Sequence, residues 1–236
     1  MNKIFILLML FSYLVNLEKA QANDKKSYVM MRLGYSINKG TLRPDNDPIL
    51  SEAVVQHDKG AAIGGSIGYS ITPEWRLALS MNYLPKWKVT YQRQPNNDRI
   101  FYQSYINSLS ATIDNYYDIT NLSFNGVTPY ILGGIGISVN EIADGDYFIN
   151  NDYAKTFYRH SSTNLAWKIG AGITYKINDS VFVESGYSFT HLGKVESKIA
   201  KDSLDENFQQ VLSSDVHNQF KKLHSHQFSV GLGLRF

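Results

Sequence analysis

The sequence predicts an all-β chain: an eight-stranded antiparallel, transmembrane up-and-down β-barrel with four long extracellular loops. Large apolar residues alternate with small or polar ones in eight separate segments. Tight turns and long polar connections join those segments by turns, as in membrane barrels. Beyond the amino terminus no apolar stretch reaches the roughly 20 residues of a spanning helix, so residence in a membrane requires strands that satisfy their backbone groups by closing on one another.

The chain opens with Lys3, an apolar run from Ile4 to Val15, and the small-x-small triplet Ala20, Gln21, Ala22. This order reads as a signal peptide cut between Ala22 and Asn23. Residues 1–22 are therefore expected to be removed, and residues 23–236 to form one barrel domain.

The first strand sets Val29, Met31, Leu33, Tyr35 and Ile37 against Met30, Arg32, Gly34 and Ser36. The second opposes Ile63, Ile67, Tyr69 and Ile71 to Ala62, Gly64, Ser66, Gly68 and Ser70. The third runs Trp75, Leu77, Leu79, Met81 and Tyr83 against Arg76, Ala78, Ser80 and Asn82, and its parity predicts that Trp87, Val89 and Tyr91 also face outward beyond Pro85. In the fourth, Ile113, Tyr117 and Ile119 oppose Thr112, Asp114, Tyr116 and Asp118; Asn115 on the apolar side predicts a bulge or a rim position. The fifth alternates Ile131, Ile135, Ile137 and Val139 with Leu132, Gly134, Gly136 and Ser138. The sixth sets Leu165, Trp167, Ile169, Ala171, Ile173 and Tyr175 against Ala166, Lys168, Gly170, Gly172 and Thr174. The seventh opposes Val181, Val183, Tyr187 and Phe189 to Glu184, Gly186, Ser188 and Thr190. The eighth alternates Phe228, Val230, Leu232, Leu234 and Phe236 with Gln227, Ser229, Gly231, Gly233 and Arg235.

Thr72–Glu74, Asn121–Val127 and Ile177–Ser180 read as periplasmic turns, and residues 39–58, 92–108, 140–163 and 193–222 as the long outer loops. A soluble sandwich also alternates, but its polar face would meet water. Here that face is rich in glycine, as the inside of a narrow barrel requires, and the apolar face carries aromatics near its ends, Trp75, Tyr69, Tyr175 and Phe236 at the turn side and Trp87 and Tyr91 at the loop side.

Composition narrows the function. The 236 residues include 17 glycines and 16 tyrosines but no cysteine, which excludes disulfides and thiolate chemistry. A formal charge of +2 leaves no footprint for nucleic acid. The mean hydropathy of −0.26 is compatible with a membrane barrel, in which only alternate residues meet lipid.

Asn115, Tyr116, Tyr117, Asp118 and then Thr128, Pro129, Tyr130, Ile131, Leu132, Gly133, Gly134, Ile135, Gly136 resemble the strand signatures of small opacity-type and OmpA-like outer-membrane barrels. Lys168–Tyr175 and Glu184–Tyr187 resemble their next two strands. Val230–Phe236 is similar to the closing strand, with its final phenylalanine, that such barrels present to the insertion machinery. Rickettsial and related alphaproteobacterial surface antigens and adhesins are the nearest likeness. The resemblance implies the outer membrane of a Gram-negative bacterium, loops at the cell surface, contact with outer-membrane lipid and lipopolysaccharide, and partners such as host serum or matrix proteins. Full-length OmpA carries a cell-wall-binding domain after its barrel; none is expected here.

Three groups of residues are candidates for function. Arg32, Arg76, Lys168 and Arg235 share the inward face with Asp114, Asp118 and Glu184, and are expected to pair as an ion network, either a gate or a static plug. Lys86, Trp87, Lys88, Tyr91, Arg93, Arg99, Phe101, Tyr102 and Tyr105 make the second loop basic and aromatic, suited to an acidic protein, a glycan or lipopolysaccharide phosphates. His224 with His226 has a metal-compatible spacing, and His160, Ser161, Ser162 or His224, Ser225 has the residue types of a lipid-modifying barrel enzyme. No orienting acid or third ligand follows at a fixed offset, so neither a metal, a cofactor nor catalysis is expected. Finally, Ser203–Glu206 fits a capping box. The stripe Leu204, Phe208, Val211, Leu212, Phe220, Leu223 predicts an amphipathic helix over Leu204–Lys222.

Overall fold

The computed structural model describes residues 26–44, 53–54, 58–93, 100–149, 152–196, 198–199 and 218–236. Eight strands form the wall: β1 (Ser27–Pro44), β2 (Asp58–Ser70), β3 (Trp75–Arg93), β4 (Ile100–Asp118), β5 (Val127–Ile142), β6 (His160–Lys176), β7 (Val181–Glu196) and β8 (Asn218–Arg235). Each pairs antiparallel with its neighbours in sequence, and β1 pairs with β8 to close the ring.

The register determines the size of the barrel. From His191 the paired residues run through Trp167, Ile135, Ile113, Leu79, Ile67, Val29 and Leu234, returning to β7 at Val181, ten residues below the start. A stagger of that size on eight strands corresponds to a strand tilt of roughly 40° and a bore that side chains just fill. Leu33, Leu79, Ile113, Ile135, Leu165, Ile169 and Val230 point outward and exposed, whereas Tyr28, Met30, Ala78, Tyr116, Tyr130 and Phe182 pack inside. This inversion of a soluble core is what lipid as solvent demands. Close approach of an inward ring fixes one small residue: a Cβ on Gly233 would lie 2.1 Å from the Phe182 ring.

The turns hold themselves by side-chain oxygens that mimic backbone acceptors. Thr72 Oγ1 accepts from the amides of Glu74 and Trp75, and Asn178 Oδ1 from those of Ser180 and Val181. Between β4 and β5 a 3-10 turn, Thr120–Leu122, precedes Asn125 and Gly126, both at positive φ. Just above the first turn, Trp75 and Tyr117 pack edge to face with ring centroids 5.3 Å apart.

Three sequence expectations need correction, and one that left two alternatives is resolved. The long connections are shorter than their polarity implied, because the strands continue past the membrane. β3 and β4 have 19 residues each. At about 3.3 Å per residue and a tilt near 40° such strands rise roughly 45–50 Å, against an apolar band of about 25 Å. Gly145–Ile149 and Asp152–Tyr158 prolong the β5–β6 hairpin in the same way. Above the membrane water replaces lipid on the outside, so the outward alternation fades while the ladder persists.

Second, Trp87 and Val89 do not face lipid. The β3–β4 register shifts between Leu84 and Trp87, and Lys86 has φ 36°. This bulge reverses the parity, so that Trp87 and Val89 follow Leu84 into the bore. Third, of the bulge or rim position expected at Asn115, the structure has the rim position. The residue pairs in step with Leu77 and Gly133 and points outward near the turn-side rim, two residues from Tyr117. Fourth, of the helix expected over Leu204–Lys222, Asn218–Lys222 belongs to strand β8. The remainder lies outside the described residues, as does the expected signal segment.

This topology predicts the sites of proteolysis on intact cells. Cuts should fall in the connections between β1 and β2, β3 and β4, and β7 and β8. Thr72–Glu74 and Ile177–Ser180 should be spared; peptide mapping that found cuts there would show the barrel inserted the other way up.

Candidate functional site

The inward charges meet across the bore rather than along the wall. Arg76 on β3 places Nε 2.6 Å from Asp118 Oδ2 and donates through Nη2 to Asp118 Oδ1 at 2.8 Å, a bidentate fork. Its Nη1 donates at 2.7 Å to Glu184 Oε1 on β7, which stands opposite β3 in the ring. The same guanidinium lies 4.7 Å from the centroid of the Tyr116 ring and within 6 Å of the Tyr28 and Tyr130 centroids. Those π-faces stabilise a cation held away from bulk water.

Arg32 on β1 donates to the Tyr116 hydroxyl at 2.5 Å and lies 3.6 Å from Glu184 Oε2. Lys168 on β6 is paired with Asp114 on β4 at 2.5 Å, and both are buried. Arg235, expected in the same network, sits instead 4.9 Å from the centroid of the Phe182 ring. Its Nε is buried without a hydrogen-bond partner among the described residues.

Between these groups lies a cavity of about 30 Å³, bordered by Arg32, Asn82, Tyr116, Tyr130, Lys168 and Gln227. That volume accommodates a water molecule or two, not a hydrated solute. Above it the inward residues change character. Leu84, Trp87, Val89, Ile106, Ile142, Leu192, Val195 and Leu223 are almost wholly buried, so large apolar side chains fill the loop-side half of the bore among small buried polar ones such as Ser36, Ser104, Ser108 and Ser225. An ion network below and an apolar stopper above together occlude the barrel over its described length.

Parity arguments locate the charged residues but leave out the rings around them. Tyr28, Tyr130 and Phe182 surround the network beside Tyr116. The detectable signal was their even parity, which places them on the same face as Arg32, Arg76 and Glu184.

The structure disperses the other candidates. Lys86 and Lys88 are exposed on the rim, and Trp87 between them is 1% exposed and unable to contact a partner. The side chains of Tyr91, Arg93, Phe101 and Tyr102, and Arg99 altogether, lie outside the described residues; Tyr105 faces outward. His224 faces out while Ser225 is buried in the bore, so this neighbouring pair does not form a dyad. The His224 and His226 rings lie 5.7 Å apart, with His224 Nδ1 against the Lys222 carbonyl and His226 Nδ1 against the Tyr187 hydroxyl. Among the described residues no group of three or more His, Asp or Glu side chains is arranged to hold a metal.

The buried Lys168–Asp114 pair makes an energetic prediction. Lys168→Met alone leaves Asp114 buried without its cation and should cost about 3–5 kcal/mol, whereas Lys168→Met with Asp114→Leu should restore most of the loss. Urea unfolding in lipid vesicles, followed by heat-modifiable gel mobility, measures both; a double variant as unstable as the single would contradict the pairing.

Comparison with known proteins agrees with this architecture. An uncharacterized protein of Rickettsia prowazekii is 28% identical over 187 residues, covering 72% of this chain and 97% of that protein. The outer membrane protein OprG of Pseudomonas aeruginosa superposes with a TM-score of 0.52 at 13% identity, over 89% of this chain and 96% of its own. The outer membrane protease OmpT of Escherichia coli gives 0.50 at 11% identity, over 93% and 99%. At these identities both structures share the fold alone. Residues 4–236 match the family described as the outer membrane protein beta-barrel domain, and the chain belongs to that family, an eight-stranded barrel of the Gram-negative outer membrane.

Proposed function

We propose that this barrel works as a surface-display scaffold of the adhesin or surface-antigen type, contacting host or envelope molecules through the parts that stand outside the membrane. One observation carries the reading: the bore is filled while the wall projects. Arg76, Asp118 and Glu184 cross the lower bore, and Trp87, Leu192 and Val195 occupy the upper one. Strands of 19 residues meanwhile extend well beyond what spanning requires. A rigid hairpin that rises above the lipid positions binding loops precisely where a conduit would need none.

The exposed Lys59, Lys86, Lys88 and Lys222 favour anionic partners at this rim, whether acidic host serum or matrix proteins or lipopolysaccharide phosphates. Residues 1–22 act as the export signal in this reading, and Phe236 as the mark for the insertion machinery.

Intact cells with and without the protein, applied to immobilised serum and matrix proteins, test the proposal. Retention should fall when the protein is removed, and again when Lys86 and Lys88 are both replaced by Glu. Equal retention in all three would overturn it. The small-solute channel is the rival account; reconstituted protein in planar bilayers should give no steady conductance steps, and reproducible steps would favour the channel.

A further inference from the structure

His224 and His226 gain a third histidine from the neighbouring strand. Along the chain the two imidazoles of β8 have no further ligand at a fixed offset, but the antiparallel register supplies one. His191 on β7 pairs with His224, and Phe189 pairs with His226. All three histidines take the outward parity, because Thr190, Leu192, Leu223, Ser225 and Gln227 beside them are buried in the bore.

Strand geometry sets how far apart they stand. Residues two apart on a strand are separated by about 6.6 Å, opposed residues have Cβ atoms about 4.5–5.5 Å apart, and diagonal neighbours lie about 7–8 Å apart. Three imidazoles turned toward one point span a triangle of that size. Two rings are already close to the arrangement: the His224 and His226 centroids lie 5.7 Å apart, with planes inclined at 74°. At a Zn–N distance of about 2.0–2.1 Å, with each ring centre about 1.1 Å behind its ligating nitrogen, two imidazoles on one tetrahedral ion have centroids roughly 5.2 Å apart. The observed pair is wider by only about half an ångström.

The other ring nitrogens are engaged in the manner of metal-binding histidines. His224 Nδ1 lies 2.8 Å from the Lys222 carbonyl; a carbonyl only accepts, so the proton is on Nδ1 and the lone pair on Nε2. His226 Nδ1 meets the Tyr187 hydroxyl at 2.7 Å, and a hydroxyl can accept its proton in the same way. Partners of this kind fix the tautomer and the orientation of a ligating imidazole.

His191 is the ring that has to move. It stacks on Trp167 of β6 with centroids 5.7 Å and planes 20° apart, so the three side chains do not converge in this structure. A change of rotamer, with the backbone left in register, carries the ring from Trp167 toward His224 at the cost of the stacking. Three neutral nitrogen donors suit zinc, copper or nickel rather than calcium or magnesium, which take oxygen. Lys39, opposite His224 on β1, and Lys222 are cationic neighbours whose flexible stems let their charges turn to water.

We propose that His191, His224 and His226 form a site for a divalent metal ion of the zinc class on the outer wall of the barrel, held through three Nε2 atoms with a fourth position open. The site lies above Phe189 and Phe228 and below the exposed Lys222, where the wall leaves the membrane and the outer medium reaches it. Three protein ligands and an open position let the ion exchange or polarise what it binds, as a closed four-ligand site does not.

The chain has no cysteine, so no thiolate competes, and Co²⁺ reports the geometry. Tetrahedral cobalt absorbs strongly in the visible, whereas octahedral cobalt barely does. Untagged protein folded in detergent micelles should bind one Co²⁺ per chain with tetrahedral absorption, and added Zn²⁺ should abolish that absorption. His191→Ala, His224→Ala and His226→Ala should each lose the tetrahedral absorption and weaken binding by roughly tenfold or more, and Tyr187→Phe should weaken it by about tenfold. Replacing His57, His160 and His217 together by Ala should leave binding and absorption unchanged. Heat-modifiable mobility confirms that each variant is folded. Octahedral absorption only, the sign of an adventitious ion only, would overturn the site, and so would a His191→Ala variant that binds and absorbs like the parent.

Discussion

Arg76 bonds to Asp118 on the neighbouring strand and to Glu184 on the strand opposite, so one guanidinium ties β3, β4 and β7 across the bore. The geometry leaves little alternative. Eight strands staggered by ten residues enclose a space that side chains fill, and a charge placed there must find its partner within the protein. Tyr28, Tyr116 and Tyr130 surround the same group with ring faces, and Gly233 remains bare so that Phe182 fits beneath. Much of the inward sequence can be read as the set of residues that this one cation requires.

The polar network and the apolar stopper divide the interior by height. Ion pairs near the turn side join strands far apart in sequence and discourage register slips, since a shift by one residue would turn Arg76 toward lipid. Nearer the loops the strands leave the membrane and the same bore is closed by Trp87, Ile106, Ile142 and Leu192. On the proposed reading function belongs to the exterior and the rim, where Lys86 and Lys88 are exposed. Among the described residues the ladder is interrupted between β6 and β7 above Trp167–His191, beside Gly193 with its φ of +81°, and between β2 and β3 above Ile63–Tyr83.

The barrel was legible because lipid imposes a period of two on every outward face. From Leu165 to Tyr175 the outward residues of β6 are read without error, as are those of β2 and β8. The reading failed where that solvent changes or the period is broken. Pro85 and Lys86 introduce a bulge that no alternation announces, and Trp87 moved from the lipid face to the bore. Strand residues 100–108 looked like loop because Gln103, Ser104, Asn107 and Ser108 interrupt the alternation above the membrane. The stripe ending at Phe220 and Leu223 resembled a helix, although β8 begins at Asn218. Within the site, Arg32, Arg76, Lys168, Asp114, Asp118 and Glu184 were found by parity alone. Their pairing across the ring was not legible, because it depends on the stagger, a property of closure rather than of any one strand.

A double-mutant cycle on Arg76 and Glu184 addresses the cross-bore tie most directly. Arg76→Met, Glu184→Leu and the combined variant would be unfolded by urea in lipid vesicles beside the parent. If the tie is what this account holds, the two losses should couple by about 2–3 kcal/mol, with the double variant far more stable than the sum of the singles implies. Losses that add to within about 0.5 kcal/mol would contradict it, showing that the two groups stabilise the barrel independently.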